Sequence, residues 1–96
     1  MWFPFSRYKV VGHSMEPTFR GGDTLWVNRL AYLFSPPRKN DVVIFNHNNQ
    51  LLIKRVYKIG KNSYLLIGDN KRDSLDSRHL GSINKRQILG RVVTKY

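Results

Sequence analysis

Short runs of β-branched and aromatic residues alternate along this chain with polar, turn-forming segments. The segments RGGD, SPPRKN, NHNNQ and GKN each stand directly before or at the start of an apolar run, and glycine, proline and asparagine are typical turn residues. Such spacing predicts a mainly β fold built from antiparallel strands. The expected strands are TLWVN (24–28), DVVIFN (41–46), LLIKRVYKI (51–59), SYLLI (63–67) and QILGRVVTKY (87–96).

Two connections between these runs carry more specific predictions. The runs 51–59 and 63–67 are joined through GKN, which is typical of a β-hairpin. The segment NRLAYLF at 28–34 has the composition of one or two helical turns, and the prolines at 36 and 37 would end such a helix.

The length of 96 residues leaves room for one domain, so residues 1–96 are expected to form a single unit. No run approaches the roughly 18 apolar residues of a membrane-spanning helix. The first nine residues, MWFPFSRYK, are aromatic and basic, but their apolar run of five is too short for a signal sequence. We expect this segment to fold onto the domain, with insertion into a bilayer interface as the alternative.

The net charge of +11 is compatible with a nucleic acid, an anionic membrane surface or an acidic substrate as partner. The basic residues are scattered along the chain, which is more typical of a solvated surface than of a nucleic-acid interface. Cysteine is absent, so disulfides and thiolate metal sites are excluded. The histidines also lack metal-ligand spacing, and we expect neither a metal nor another cofactor.

A single serine in the stretch GHSMEPTF (12–19) is a candidate nucleophile. Ser14 lies between Gly12 and Pro17, in a segment that cannot form a regular helix and can expose a hydroxyl beside free backbone N–H groups. The G-x-S-x-G elbow of other hydrolases does not fit, because Glu16 occupies the place of the second glycine. Taken alone, such a serine is most often an ordinary loop residue.

A nucleophilic serine needs a base, and the chain offers histidines or a buried lysine. His13 is adjacent to Ser14 and His47 lies in a polar turn, so both are more typical of surface residues. Lys54 lies in the run LLIKRV, where a strand would place it on one face with Leu52 and Val56. Burial there would lower the pKa of the amine from its usual value of about 10.4. The alternative is a lysine that extends to solvent from a strand edge.

The stretch GDNKRDSLDSRHLG (68–81) contains three of the six acidic residues but lacks the spacing of a calcium loop. Together with GHSMEPTF and IKRV, in this order, it resembles the ordered motifs of the signal peptidase I family. These are serine proteases with a Ser/Lys dyad, and the resemblance covers about residues 10–92.

The resemblance implies a single small antiparallel, strongly coiled β-sheet domain of the signal peptidase I catalytic-core type. It also implies three catalytic roles. Ser14 would be the nucleophile, Lys54 the general base, and Ser74 the hydroxyl that orients the lysine amine. The Ser14 backbone N–H would contribute to the oxyanion hole. Structural support is implied for Gly68, Asp69 and Asn70, which form a turn, and for Asp76 and Arg78, which form an ion pair.

The substrate would lie extended beside residues 10–14 and 51–54 and add to the sheet as a strand. By resemblance, its pockets would prefer small residues just before the cut. The residues expected to bind it are Val10, Val11, Gly12, Met15, Phe19, Leu52 and Ile53.

Two departures from the family narrow the predicted function. Typical members carry a membrane anchor before the nucleophile and a second β-domain between the lysine and the GDN turn. Here 13 residues precede Ser14 and 13 separate Lys54 from Gly68. The chain is therefore most similar to the short proteases that mature nickel-type superoxide dismutase. These remove a leader peptide so that the new terminal amine can help bind nickel.

We therefore predict a cytoplasmic serine endopeptidase that removes an N-terminal leader from a precursor protein, with nickel-type superoxide dismutase as the expected substrate. General signal-peptide cleavage at a membrane is one alternative. A non-catalytic basic β-domain that binds nucleic acid or anionic lipid is another. Self-cleaving repressors also use a Ser/Lys dyad on a related fold, but this length leaves no room for their DNA-binding domain. Nucleic acid is not expected as a partner, while peripheral membrane contact stays open.

Overall fold

The computed structural model describes residues 4–71 and 81–95. Within these ranges the chain forms one antiparallel sheet with the strand order β1-β2-β6-β3-β4-β5, which confirms the predicted mainly β fold. One 3₁₀ helix, Lys85–Gln87, precedes the last strand. The strands are β1 (Phe5–Lys9), β2 (Thr24–Asn28), β3 (Val42–His47), β4 (Gln50–Ile59), β5 (Tyr64–Ile67) and β6 (Ile88–Lys95).

The sheet is strongly coiled, as expected. Three strands separate β1 from β4 in the sheet order, yet the Tyr8 hydroxyl on β1 donates a hydrogen bond to the Leu51 carbonyl on β4 at 3.2 Å. Register shifts between β2 and β6, between β3 and β6, and between β4 and β5 increase the local twist. Gly90 permits the close approach of β6 to β2, because a Cβ there would lie 2.7 Å from a Val27 methyl carbon.

The coiled sheet buries apolar residues on both faces, which explains the continuous apolar run of β3. Val42 and Ile44 belong to a first hydrophobic cluster, while Val43 and Phe45 belong to a second. This division follows from the alternation of side chains along a strand. Lys54 therefore lies in a strand that has a hydrophobic cluster on either side of it.

Two further predictions are confirmed, one on the β4–β5 connection and one on the N-terminal segment. β4 and β5 form a hairpin, in which the Gly60 N–H donates to the Ser63 carbonyl at 2.9 Å and Asn62 adopts φ 66°, a conformation that asparagine tolerates. The N-terminal segment folds onto the domain at least from Phe5, because β1 pairs with β2 along its whole length.

The prediction of helical turns at 28–34 is wrong. The segment forms consecutive turns, with hydrogen bonds from the Ala31 N–H to the Asn28 carbonyl and from the Leu33 N–H to the Leu30 carbonyl. The Asn28 side chain accepts the Leu30 N–H at 2.9 Å. Such a local bond competes with helix formation, because it offers the backbone an alternative partner. In the two described ranges, no helix has the length and apolarity needed to cross a membrane.

Candidate active site

A groove of about 400 Å³ opens where the coiled sheet brings the end of β1 close to the first half of β4. Ser14 and Lys54 both line this groove, so the fold brings together the two residues expected to form the dyad. Its other walls are largely apolar. They come from Tyr8, Val11, Gln50, Leu51, Leu52 and Ile53.

Lys54 is only 7% exposed, and among the residues that the structure describes it is the one charged side chain that is buried. Its neighbours on the same face of β4, Leu52 and Val56, pack in the second hydrophobic cluster, as the strand alternation predicted. Such burial contradicts the alternative of a lysine extended into solvent. Loss of hydration disfavours an ammonium, so burial of this kind is a condition under which a lysine can serve as a base.

The segment that carries Ser14 is held at both ends. The Val10 N–H donates to the Asp23 carbonyl at 2.8 Å, and the Phe19 N–H donates to the Met15 carbonyl at 2.9 Å. Gly12 has φ 84°, and a Cβ there would meet no atom within 4 Å, so glycine is needed for the backbone conformation and not for space. Ser14 is thereby presented at the groove by a fixed turn.

The GDN turn packs directly against this segment. The Asn70 N–H donates to the Ser14 carbonyl at 2.9 Å, and the Asn70 side-chain amide donates to the His13 carbonyl at 2.9 Å. A Cβ at Gly68 would lie 2.5 Å from the Ser14 carbonyl oxygen, so a side chain there would displace the turn. Gly68 and Asn70 therefore lie against the Ser14 segment, while their expected role of bringing Ser74 towards Lys54 stays a prediction.

Asp69 joins the three motifs. Both of its oxygens accept hydrogen bonds from Arg55, from Nε and from Nη2, each at 2.8 Å, and the Thr18 hydroxyl donates at 2.6 Å. Burial by itself would raise the pKa of Asp69, but the hydrogen bonds from Arg55 and Thr18 and the Arg55 charge lower it overall. The residue after Lys54 is thus fixed to the turn that touches Ser14.

Arg55 and Thr18 were missed by the sequence reasoning. The sequence did contain a signal for Arg55. If the IKRV and GDN motifs are neighbours in space, Arg55 and Asp69 have opposite charges and can form an ion pair. Thr18 gave no comparable signal, since a threonine in a turn has many possible roles.

Neither His13 nor His47 is placed to compete for the role of base. The His13 ring lies 2.6 Å from a Glu16 carboxylate oxygen and its side chain is 75% exposed. His47 ends β3 opposite Gln50 and does not line the groove. His79 lies outside the described residues.

The residues expected to bind substrate lie in three different places. Val11, Leu52 and Ile53 line the groove. Val10 and Met15 are instead buried in the first hydrophobic cluster beneath the Ser14 segment. The remaining two lie elsewhere: Phe19 packs against that cluster and lines a separate hollow, and Gly12 is exposed.

Tyr8 and Gln50 line the groove but were not foreseen, and Leu51 was expected only as part of the segment 51–54 beside the substrate. Tyr8 lies in the N-terminal aromatic segment, which gave no strand signal of its own, and Gln50 was assigned to a turn. Ser74, Asp76 and Arg78 fall outside the described residues, and their roles stay predictions. Within the described ranges, no group of three or more histidine or acidic side chains is placed to hold a metal ion.

The chain as a whole is similar to known peptidases. The family model described as Peptidase S24-like matches residues 7–93. Signal peptidase I V of Bacillus subtilis is 28% identical over 138 positions, which cover 90% of this chain and 82% of that protein. Signal peptidase I of Bacillus caldolyticus is 30% identical over 146 positions, which cover 98% and 80%. Both alignments are longer than the 96 residues here, so each relative has residues in the shared region that lack a counterpart in this chain.

Proposed function

We propose that this chain, which belongs to the Peptidase S24-like family and is a serine-type endopeptidase related to signal peptidase I, uses Ser14 as its nucleophile and Lys54 as its general base. The observation that supports this assignment is the shared groove: Ser14 and Lys54 line the same cavity, and Lys54 is almost fully buried there. A lysine in this setting is suited to accept a proton near neutral pH.

The reaction proceeds in two halves. The neutral Lys54 amine takes the Ser14 hydroxyl proton while Oγ attacks the carbonyl carbon of the scissile peptide bond. The resulting ammonium protonates the leaving amine, the C–N bond breaks, and an acyl-enzyme remains. Lys54 then takes a proton from water as the water oxygen attacks the ester carbon. The Lys54 ammonium returns this proton to Ser14 Oγ as the ester C–O bond breaks, which restores both residues. The Ser14 backbone N–H donates to the developing oxyanion, and Ser74 orients the amine.

The substrate adds to the open edge of β4. β4 pairs with β5 only from Arg55 onward, whereas Gln50–Lys54 pair with β3 and face the groove on their other side. An extended peptide can form main-chain hydrogen bonds along such an edge. The apolar side chains of Val11, Leu52 and Ile53 then contact its residues near the cut.

The relatives are leader-cleaving peptidases by name, and a precursor protein is the corresponding substrate here. More narrowly, we propose that the precursor is a nickel-type superoxide dismutase with an N-terminal leader. The support for this substrate is the compact connection between Lys54 and Gly68, which consists of a single hairpin, as expected for the short maturation proteases.

Co-expression of this chain with the leader-bearing dismutase precursor tests both the proposed dyad and the proposed substrate. Intact-mass analysis of the precursor is the readout. One N-terminal cut that disappears in Ser14→Ala is expected. Cleavage that persists in Ser14→Ala would contradict the nucleophile. An uncut dismutase precursor, with a secretory precursor cut in a Ser14-dependent manner, would remove the dismutase assignment and leave the dyad.

A further inference from the structure

A second and larger groove, of about 770 Å³, shares no lining residue with the groove that holds Ser14 and Lys54. It lies between the turns that follow β2, the tip of the β4–β5 hairpin and the segment around the 3₁₀ helix. We refer to it as the basic groove, because Arg29, Lys85 and Arg86 line it and none of the described residues that line it is acidic.

Lys85 and Arg86 are held in place by the 3₁₀ helix. The Asn84 side chain accepts the Arg86 N–H at 2.9 Å, and the Gln87 side chain accepts the Asn84 N–H at 3.0 Å. Gln87 also donates to the Asn46 carbonyl at 3.0 Å, which fixes the helix to β3. Both cations are exposed, so the fold positions their backbone while their charges face solvent.

Large apolar side chains stand beside these cations. Leu33 and Leu89 line the basic groove and are 64% and 44% exposed, and Phe34, next to Leu33 in the chain, is 94% exposed. A single exposed apolar residue is ordinary, but a group of them beside fixed cations marks an interaction surface.

We propose that this face binds the anionic surface of a phospholipid bilayer. Lys85 and Arg86, together with Arg29, contact headgroup phosphates, while Leu33 and Phe34 enter the boundary between headgroups and acyl chains. A nucleic acid could bind the cations through its phosphates, but its backbone offers no apolar environment for Leu33 and Phe34. An anionic bilayer offers phosphates for the cations and an apolar interior for these two side chains. The proposal goes beyond the cleavage reaction, because neither Ser14 nor Lys54 takes part in it.

Vesicle co-sedimentation tests the proposed binding to an anionic bilayer without any cleavage assay. The full chain is expected to sediment with vesicles of mixed phosphatidylglycerol and phosphatidylcholine, less so as salt rises, and much less with phosphatidylcholine alone. The charge-reversal pair Lys85→Glu/Arg86→Glu is expected to lower vesicle affinity by about tenfold or more. The pair Leu33→Ser/Phe34→Ser is expected to lower it by a similar factor, since both apolar contacts are lost.

Matched control variants distinguish binding through this face from a general effect of the positive charge of the chain. Lys9→Glu/Arg20→Glu makes the same charge change at exposed sites outside the basic groove, and Val93→Ser removes an exposed apolar side chain of β6. Both controls are expected to retain most of the vesicle affinity, and circular dichroism checks that every variant is folded. Equal loss in the charge controls would overturn the proposal. So would unchanged binding in Leu33→Ser/Phe34→Ser, or an oligonucleotide that binds this face while mixed vesicles do not.

Discussion

The two halves of β4 differ in what surrounds them. Residues 50–54 pair with β3 and face the groove on the other side, where the Tyr8 hydroxyl contacts the Leu51 carbonyl. Residues 55–59 pair with β5, and the loop before β3 also contacts this half, through hydrogen bonds between Val56 and residues 40 and 41. Among the described residues, β4 is therefore open on one side along its first half and enclosed on both sides along its second half.

The contrast is sharpest at the junction of the two halves, where two cations stand next to each other. Lys54 is buried and lines the groove, whereas Arg55 is more exposed and forms a bidentate ion pair with Asp69. The same formal charge thus has two uses. Under the proposed mechanism Lys54 transfers a proton, whereas the ion pair with Asp69 makes Arg55 a structural connection.

The largest expected effect is on catalysis from the open half. Lys54→Met removes the base while keeping a side chain of similar length, and we expect kcat/KM to fall by about 10²–10⁴-fold. Lys54→Arg should be equally inactive, because a guanidinium stays protonated. Thermal melting of Lys54→Met, measured beside the assay, checks that the variant is folded and that the loss of kcat/KM is catalytic.

Lys58→Met is the matched control, since Lys58 lies in the enclosed half of the same strand and is exposed. It should retain native kcat/KM. Substantial peptidase activity in Lys54→Arg would contradict the lysine base and return attention to the histidines.

A substitution in the enclosed half of β4 should lower stability and leave activity nearly unchanged. Val56 is fully buried in the second hydrophobic cluster, and Val56→Ala should lower the free energy of unfolding by about 1–3 kcal/mol. Activity per folded molecule should be nearly unchanged at temperatures well below the melting point. Urea unfolding and a peptidase assay on the same sample check both parts, and a kcat loss comparable to that of Lys54→Met would remove the distinction between the halves.

The ion pair at the junction should contribute in a pH-dependent way. Because the pKa of Asp69 is lowered in the folded chain, its contribution to stability is complete above the ordinary carboxyl pKa and is lost as pH falls through the lowered value. Asp69→Asn should cost about 1–2 kcal/mol near pH 6, and the difference from the native chain should shrink towards pH 3. Urea unfolding at several pH values measures this, and a pH-independent difference would contradict the role of the Asp69 charge.

Much of this arrangement could be predicted from sequence because its signals are local. Strands β2 to β6 are continuous β-branched or aromatic runs between turn residues, and the alternation in LLIKRV places Lys54 among aliphatic neighbours. The GDN turn was singled out through its resemblance, whereas its contact with the Ser14 carbonyl was not foreseen.

What escaped prediction depends on contacts between distant segments. β1 forms by pairing with β2, although FSRYK has little strand signal of its own. Val10 and Met15 were expected in the substrate pocket, because an apolar residue near Ser14 fits a pocket wall and a hydrophobic core equally well. The basic groove was not foreseen either, since its walls come from three separate parts of the chain.

The smallest expected effect concerns the hydrogen bond between the Tyr8 hydroxyl and the Leu51 carbonyl, at the open half of β4. The Tyr8 hydroxyl holds β1 against β4, and burial raises the pKa of Tyr8, so the group stays a donor at working pH. Tyr8→Phe removes one partly exposed hydrogen bond, worth about 0.5–1 kcal/mol, and should raise KM by about two- to fivefold with kcat unchanged. Tyr57→Phe, in the enclosed half, is the control and should change neither constant. A fall in kcat for Tyr8→Phe would instead give Tyr8 a part in the chemical step, because loosening the groove wall should weaken substrate binding without altering proton transfer between Ser14 and Lys54.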